Sequence, residues 1–250
     1  MTPVLSVVMP VYNEAAHLER VVADVVSRVL DRVPGSELLV VDDHSTDASA
    51  TLLTAAVADD PRIGVLTNSS NRGHGPSVRR GWAHGTSEWI LTVDSDGHVD
   101  LAAFESLWER RHGADLVLGA RVSRDDPLHR TLVTAATRTL ASALARRRML
   151  DANTPFKLIR RSLLEHVAPV MPEHAFAPTV LLVVGAARSG ARIAEVPVRQ
   201  LPRLHGRTTL HPRRLARAVL QCTRETLAAA RTDVARYPTP QPTVDAGDHA

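Results

Sequence analysis

Apolar runs with strand character alternate with segments of helical spacing through the first 120 residues of this 250-residue chain. The runs contain few polar residues, which is typical of strands that are covered on both faces. Regular alternation of strands and helices predicts an α/β fold, with a mostly parallel sheet between layers of helices. The predicted strands lie at 4–9, 37–41, 62–67, 89–93 and 115–120.

The segments that directly follow the apolar runs carry most of the chemically distinctive residues. In open α/β sheets, ligands bind at the carboxyl ends of the strands, so residues that follow several strands meet at one edge. The sequence therefore predicts a binding site at that edge. Its members are residues 10–14, Asp42 with Asp43, the loop at Gly73, Asp94 with Asp96, and Arg121.

Asp94 and Asp96 are the most specific of these features. They follow the apolar run 89–93 and are separated by one residue, so on a continuing strand both carboxylates would point to the same face. Two neighbouring carboxylates repel each other unless a cation lies between them, and a hard divalent cation that also binds phosphate oxygens fits this position. The alternative is an Asp-rich turn without a ligand.

Charge is distributed unevenly along the chain. Residues 1–120 carry a net charge of −8 and residues 121–231 a net charge of +13, although the whole chain carries only +3. The acidic part suits a bound cation, and the basic part suits phosphates or an anionic surface. A general enrichment in arginine from genome composition is the alternative. The high isoelectric point alone does not predict nucleic acid as a partner.

The second half of the chain lacks the regular alternation of the first. An Arg-rich helix is predicted over 127–150, further helices over 160–167 and 178–189, a strand over 192–199, an amphipathic helix over 213–231, and a disordered tail from residue 232. The single cysteine, Cys222, excludes an intrachain disulfide, and no apolar segment is long enough to span a membrane. These features predict a cytoplasmic protein. Peripheral contact with the inner face of a membrane stays open.

Seven short motifs resemble those of the inverting family 2 glycosyltransferases, which have a GT-A fold with a Rossmann-like sheet. More narrowly, they resemble the dolichyl- and polyprenyl-phosphate sugar synthases. The motifs are VMPVYNE at 8–14, VVDDHSTD at 40–47, NRGHG at 71–75, VDSDG at 93–97, GAR at 119–121, PFKLIRR at 155–161, and EVPV at 195–198 followed by PRLHG at 202–206. The resemblance divides the chain into a nucleotide-sugar-binding half (1–120), an acceptor-binding half (121–210), an amphipathic helix (211–231) and a tail (232–250).

This resemblance also implies roles for individual residues. The nucleotide sugar would be bound by Pro10, Tyr12, Glu14, Asp42, Asp43, Gly73, Asp94 and Ser95. Asp94 and Asp96 would hold the metal and the diphosphate, with Arg121 as the third catalytic residue. The acceptor or its phosphate would be bound by Arg121, Lys157 and Arg203, the last in a loop that closes over the phosphates.

Each role has a simpler alternative. Tyr12 could be a packing residue, Asp42 or Asp43 a helix cap, Arg121 and Arg203 solvated surface charges, and Lys157 a strand-edge residue.

His98 departs from the family pattern, which usually has Gln at that position. If its imidazole is a metal ligand with Asp94 and Asp96, we expect Mn²⁺ to be preferred over Mg²⁺, with activity falling as His98 is protonated. The alternative is a solvent-facing histidine in a turn.

The predicted reaction is inverting transfer of a sugar from a UDP- or GDP-sugar to a polyprenyl (dolichyl-type) phosphate, assisted by Mn²⁺ or Mg²⁺. A phosphate acceptor is already anionic and needs no strong base, whereas a hydroxyl acceptor needs one. The Glu-Asp pair that serves family members acting on hydroxyls is absent from this chain. The alternatives are a soluble glycosyltransferase acting on a small-molecule or glycan hydroxyl, and a catalytically silent nucleotide-sugar-binding subunit.

Overall fold

A single seven-stranded sheet forms the centre of the protein, with the strand order β3-β2-β1-β4-β6-β5-β7. The computed structural model describes residues 3–121, 138–201, 212–232 and 234–238. All neighbouring strands are parallel except β6, which runs antiparallel between β4 and β5. The strands are β1 (Leu5–Val11), β2 (Ser36–Asp42), β3 (Ile63–Thr67), β4 (Trp89–Thr92), β5 (Leu116–Arg121), β6 (Lys157–Arg160) and β7 (Ile193–Val198).

Helices cover both faces of this sheet, so successive residues of β1 enter two different apolar cores. Val7 and Met9 pack in the core beneath α1 and α4, whereas Val8 packs in the core beneath α3, α6 and α7. The helices are α1 (Leu18–Val25, continued by a π-helical turn over Val26–Leu30), α2 (Ser49–Asp59), α3 (His74–His84), α4 (Phe104–Arg110, preceded by a 3₁₀ turn over Leu101–Ala103), α5 (138–144), α6 (Arg161–Val167), α7 (Pro178–Arg188) and α8 (Pro212–Arg231).

The predicted α/β fold with a mostly parallel sheet is therefore confirmed. Both predicted halves contribute to the one sheet, because β6 from the second half separates β4 from β5. The predicted helix over 127–150 is wrong at its carboxyl end: α5 ends at residue 144, and Arg146 has a positive φ of 51° that a helix does not allow. Residues 122–137 lie outside the described ranges.

The sequence predicts a disordered tail from residue 232, and five residues of this segment have a defined place in the structure. Residues 234–238 lie against the domain, and Tyr237 is only 3% exposed. Its hydroxyl is 2.7 Å from the Ser162 hydroxyl, and its backbone N–H donates to the Ser189 carbonyl at 2.8 Å. Burial of the aromatic ring stabilises this segment enough to order it, although its Pro-rich composition favours disorder. In the described ranges, no helix combines the length and hydropathy of a membrane span.

Candidate functional site

The carboxyl ends of β1, β2, β4 and β5 lie along one edge of the sheet. β1 is parallel to β2 and β4, and β5 has the direction of β4 because β6 is antiparallel to both. The segments that follow these strands are those the sequence placed there: 10–14, Asp42 with Asp43, Asp94 with Asp96, and Arg121. The structure thus brings the predicted site residues of the first half to a common edge.

The loop after β1 is fixed by the loop after β2. Asn13 has a φ of 55°, and its side-chain oxygen accepts a hydrogen bond from the Thr46 N–H at 2.7 Å. The Glu14 N–H donates to the Ser49 hydroxyl at 3.0 Å. Tyr12, by contrast, is 46% exposed, so the alternative that it packs in the interior is wrong. Its ring is available at this edge.

Glu14 and Asp42 line the same part of the edge. The Glu14 carboxylate is 2.7 Å from the His17 ring, and burial raises the pKa of Glu14 against the opposing effect of that histidine. Asp42 is buried and accepts a hydrogen bond from the Ser45 N–H at 3.1 Å. Asp42 therefore has a structural role in the turn after β2, and the nucleotide contact expected of it stays a prediction.

Asp43 organises the loop that leads into α3. Its carboxylate accepts hydrogen bonds from the backbone N–H groups of Arg72 (2.8 Å) and Gly73 (2.7 Å) and from the Asn68 amide (2.7 Å). Because Asp43 is 3% exposed, these contacts use a carboxylate that has little access to solvent. The structure shows Asp43 holding the Gly73 loop in place, and direct contact with a nucleotide is not what this placement offers.

The start of α3 places a histidine next to the predicted metal site. Gly73 has a φ of 90°, which directs the chain into the helix, and the His74 Nε2 atom lies 3.0 Å from the Asp94 carboxylate. Gly75 has no room for a Cβ, because it would clash with the carbonyl oxygens of Ala175 and Phe176. This close packing fixes His74 relative to Asp94.

The turn that follows β4 carries Asp94, Ser95 and Asp96. The strand ends at Thr92, so the expectation that both carboxylates lie on one face of a continuing strand is wrong: they belong to a turn that Gly97 closes with a φ of 65°. Asp94 and Asp96 keep 28% and 35% of their side-chain surface exposed, whereas Ser95 is buried. Both carboxylates are therefore reachable from solvent.

Electrostatic contacts across the edge favour the ionised form of Asp94. Burial acts to raise its pKa, but the charges of His74, Arg121 and Lys157 outweigh burial and lower it. For His74, withdrawal from water acts to lower the pKa, and the nearby carboxylates, above all Asp94, raise it.

His98 is paired with Asp96 and is not a solvent-facing turn residue. Its Nε2 atom is 3.6 Å from the Asp96 carboxylate, and its Nδ1 atom is 3.3 Å from the Leu201 carbonyl oxygen. Within the described ranges, no three His, Cys, Asp or Glu side chains are arranged to hold a metal by themselves. Asp94 contacts His74 and Asp96 contacts His98, so the structure does not bring Asp94, Asp96 and His98 together as the predicted set of three metal ligands.

Arg121 ends β5, and its guanidinium is held by Asp151. The Arg121 Nε donates to the Asp151 carboxylate at 2.6 Å and Nη2 donates to it at 3.2 Å. The Arg121 side chain is 19% exposed and that of Asp151 only 2%, so the alternative of a solvated surface arginine is wrong. The partner of this arginine, Asp151, was not among the predicted site residues.

Lys157 differs most from its prediction. It begins β6 between β4 and β5, is completely buried, and donates from Nζ to the Thr154 carbonyl oxygen. Burial lowers the pKa of Lys157 to about 7, against the attraction of Asp151. The strand-edge alternative is therefore wrong, and the expected contact of Lys157 with a phosphate stays a prediction that its complete burial does not favour. Arg203 lies outside the described residues.

Two further site residues, His74 and Asn68, escaped the sequence reasoning. His74 stood inside the NRGHG motif, but its pairing with Asp94 depends on how α3 meets β4. Asn68 is buried and donates to Asp43 and, at 3.0 Å, to the Ser77 hydroxyl. The sequence could have indicated Asn68 only through its position, because it is a polar residue that directly follows β3.

The chain is similar to known proteins over most of its length. The family model described as Glycosyl transferase family 2 matches residues 6–168. The chain is 26% identical over 231 residues to undecaprenyl-phosphate mannosyltransferase of Micrococcus luteus, which covers 89% of this chain and 93% of that protein. It is 25% identical over 213 residues to dolichyl-phosphate beta-glucosyltransferase of Dictyostelium discoideum, covering 78% of this chain and 65% of that protein.

Solved structures show the same fold. The structure of glucosyl-3-phosphoglycerate synthase from Mycobacterium tuberculosis in complex with Mn²⁺ and UDP-glucose superposes with a TM-score of 0.67. The two sequences are 23% identical, and the match covers 91% of this chain and 79% of that one. At this identity the likeness establishes the GT-A fold and carries no residue roles.

Proposed function

Because the chain belongs to glycosyl transferase family 2, we propose that this enzyme transfers a sugar from a nucleotide diphosphate sugar to a polyprenyl phosphate, with inversion at the anomeric carbon. One observation supports the proposal above all: two solvent-accessible carboxylates, Asp94 and Asp96, lie at the same edge of the sheet as the cationic Arg121. The names of the Micrococcus and Dictyostelium relatives, which denote transfer to undecaprenyl and dolichyl phosphates, support the acceptor.

Asp94 and Asp96 fit a divalent cation because carboxylate oxygens are the ligands that Mg²⁺ and Mn²⁺ prefer, with the remaining positions left for diphosphate oxygens. His98 pairs with Asp96, but in the described residues it is not arranged with the two carboxylates as a third ligand. Such a cation would neutralise the charge that develops on the departing nucleotide diphosphate. The exposed Tyr12 ring and the loop fixed by Asp43 form the part of the edge where the base and ribose would bind.

The acceptor chemistry follows from what the edge supplies. A phosphate oxygen attacks the anomeric carbon without first losing a proton, so the protein must orient the phosphate and offset its charge. Arg121 is suited to this because its planar guanidinium is held in one orientation by Asp151. The proposal therefore assigns Arg121 to the acceptor phosphate or the diphosphate, and Asp94 and Asp96 to the donor.

The outer face of α8 suits contact with an anionic membrane, where a polyprenyl phosphate resides. Leu220 and Leu227 are exposed two turns apart, with the exposed Arg224 and Arg231 between and beyond them. Apolar side chains flanked by arginines are typical of helices that lie in the membrane interface. Sedimentation with vesicles containing phosphatidylglycerol tests this, and we expect binding to fall when both leucines are replaced by serine.

The experiment for the reaction uses the purified protein, labelled UDP- and GDP-sugars, Mn²⁺ or Mg²⁺, and a polyprenyl phosphate. We expect label to enter the organic phase with one donor and to disappear in Asp96→Ala. Asp100→Asn is the matched control, because Asp100 lies in the same connection but caps the turn at Ala102. Its activity should stay close to that of the wild type.

Other outcomes would replace the proposal. Donor consumption that requires a small hydroxylated acceptor and ignores polyprenyl phosphate would identify a glycosyltransferase acting on soluble acceptors. Metal-dependent binding of a nucleotide sugar without turnover on any acceptor would identify a silent binding subunit.

A further inference from the structure

One short loop, residues 151–154, holds two cations behind the proposed site. Arg121 donates to the Asp151 carboxylate through Nε and Nη2, and Nη2 also lies 3.3 Å from the Asn153 carbonyl oxygen. On the other side of the loop, the Lys157 ammonium donates to the Thr154 carbonyl oxygen. The loop thus fixes the position of both positive groups.

The loop itself is anchored to β7. A Glu195 carboxylate oxygen accepts from the Leu150 N–H at 2.8 Å and from the Asp151 N–H at 3.4 Å. Within the loop, the Thr154 N–H donates to the Asp151 carbonyl oxygen at 3.3 Å. Asp151 therefore has a fixed backbone as well as a buried side chain.

Charge gives this arrangement a direction. One buried carboxylate, Asp151, lies with two basic side chains, Arg121 and Lys157, and both of these attract Asp94. Because burial lowers the pKa of Lys157 to about 7 whereas an arginine stays charged, Arg121 is the main positive group at the edge where the diphosphate and the acceptor phosphate would meet. An arginine whose orientation is already fixed loses little freedom when it binds a phosphate.

We propose that Asp151 is a positioning residue for the transfer reaction, acting through Arg121, an inference that rests on the proposed function. Its carboxylate holds the guanidinium at the end of β5, at the edge of the sheet where the phosphates would bind. Asp151 itself is buried, so it would act on the substrate through Arg121. The proposal adds to the site a residue from the second half of the chain, 30 positions after its partner.

The amino end of the same strand offers a matched control. Asp115 is also fully buried, and it accepts from Arg192 at Nε (3.0 Å), Nη2 (2.8 Å) and the backbone N–H (3.0 Å). This pair has the chemistry of the Arg121–Asp151 pair but lies at the opposite edge of the sheet. Its loss should affect folding without affecting the reaction.

The test compares Asp151→Asn with Asp115→Asn, each with activity expressed per folded molecule. We expect kcat/KM for polyprenyl phosphate to fall about 10- to 100-fold in Asp151→Asn and to change less than about twofold in Asp115→Asn. In an Arg121→Ala background, Asp151→Asn should cause almost no further loss, because a positioning residue acts only through its partner. Equal activities in the two asparagine variants, or additive losses in the double variant, would overturn the proposal.

A binding measurement separates this inference from the proposed function. Calorimetric titration with Mg²⁺ and inorganic pyrophosphate needs no acceptor, and we expect the affinity to fall about tenfold in Asp151→Asn and Arg121→Ala but not in Asp115→Asn. If the wild type fails to glycosylate polyprenyl phosphate while this pattern holds, the reaction is wrong and the positioning role stands. If Asp151→Asn does not fold, Asp151→Glu retains the charge on a longer side chain and should show the same losses in smaller measure; unchanged values would refute the proposal.

Discussion

The two ends of β5 contain the same kind of ion pair in different surroundings. At the amino end, Asp115 pairs with Arg192, and the Arg160 Nε lies 3.6 Å from the same carboxylate. At the carboxyl end, Asp151 pairs with Arg121, and the neighbouring basic group is the buried Lys157. The arginine of the second pair, Arg121, acts on the charge of Asp94. A buried Arg–Asp pair can simply hold two structural elements together. Its neighbouring residues therefore decide whether such a pair indicates a functional site.

The largest effect is expected at the carboxyl end from Asp94→Asn. Loss of this carboxylate's charge should lower the transfer rate about a thousandfold, because the diphosphate leaving group would lose part of its charge stabilisation. The side chain is partly exposed and the amide can still contact His74, so the thermal unfolding temperature should stay close to that of the wild type. Initial rates and a melting curve on the same sample check both statements. If Asp94→Asn lowered the unfolding temperature and kept the transfer rate, Asp94 would have the structural role that we assign to the amino end.

At the amino end, Asp115→Asn should show the opposite behaviour. Removing the charge from a fully buried carboxylate leaves Arg192 without its counter-charge, while Arg160 keeps its ion pair with Glu88, and we expect a cost of about 4 kcal/mol in the free energy of unfolding. Urea unfolding measures this loss. An unfolding free energy within 1 kcal/mol of the wild type, on the order of the effect of an exposed pair, would show that the pair is not a structural one.

Lys157→Met sharpens the comparison through its pH dependence. The unfolded chain has a lysine pKa near 10.5, and burial lowers it to about 7 in the native state. The native state therefore bears the full cost of the lowered pKa below pH 7, and this cost disappears as the pH rises toward 10.5. Relative to the wild type, Lys157→Met should be more stable at pH 6 than at pH 10 by roughly 4 kcal/mol, as measured by urea unfolding at both values. A difference independent of pH would mean that Lys157 keeps its charge throughout.

The smallest effect is expected from Tyr237→Phe, again on the amino side. The change removes the hydroxyl that contacts Ser162 while the buried ring remains, so we expect a loss of about 1 kcal/mol in unfolding free energy and unchanged transfer activity. Thermal unfolding and the transfer assay measure the two quantities. Reduced activity per folded molecule would show that the two edges are coupled through α6 and α7.

The sheet and its functional edge could be predicted because both depend on local patterns. The run that leads to Asp94 and Asp96 is almost entirely apolar, and this composition indicates a buried strand. Parallel strands necessarily bring their carboxyl ends together. The same reasoning failed within the turn after β4, where Gly97 rather than the strand decides the direction of the carboxylates.

The partners of the basic residues could not be predicted. Asp115 and Arg192 are 77 residues apart, and their contact depends on β5 and β7 pairing in a particular register. Lys157 belongs to a residue type that is almost never fully buried, so no pattern in the sequence favours its interior position. Tyr237 stands in a segment whose composition is typical of disorder, and a single ring finding a site between α6 and α7 leaves no periodic signal.

The antiparallel strand β6 also has a consequence for the order in which the protein folds. β1, β2, β3 and β4 are neighbours in the sheet and are complete by Thr92, so this part can assemble from early segments of the chain. β5 has only β6 and β7 as neighbours, and both are synthesised later. During translation, β5 must therefore wait as an unpaired apolar strand until about 40 further residues have emerged. The acidic donor side can assemble first, and the loop that orients Arg121 can close only when β6 and β7 arrive.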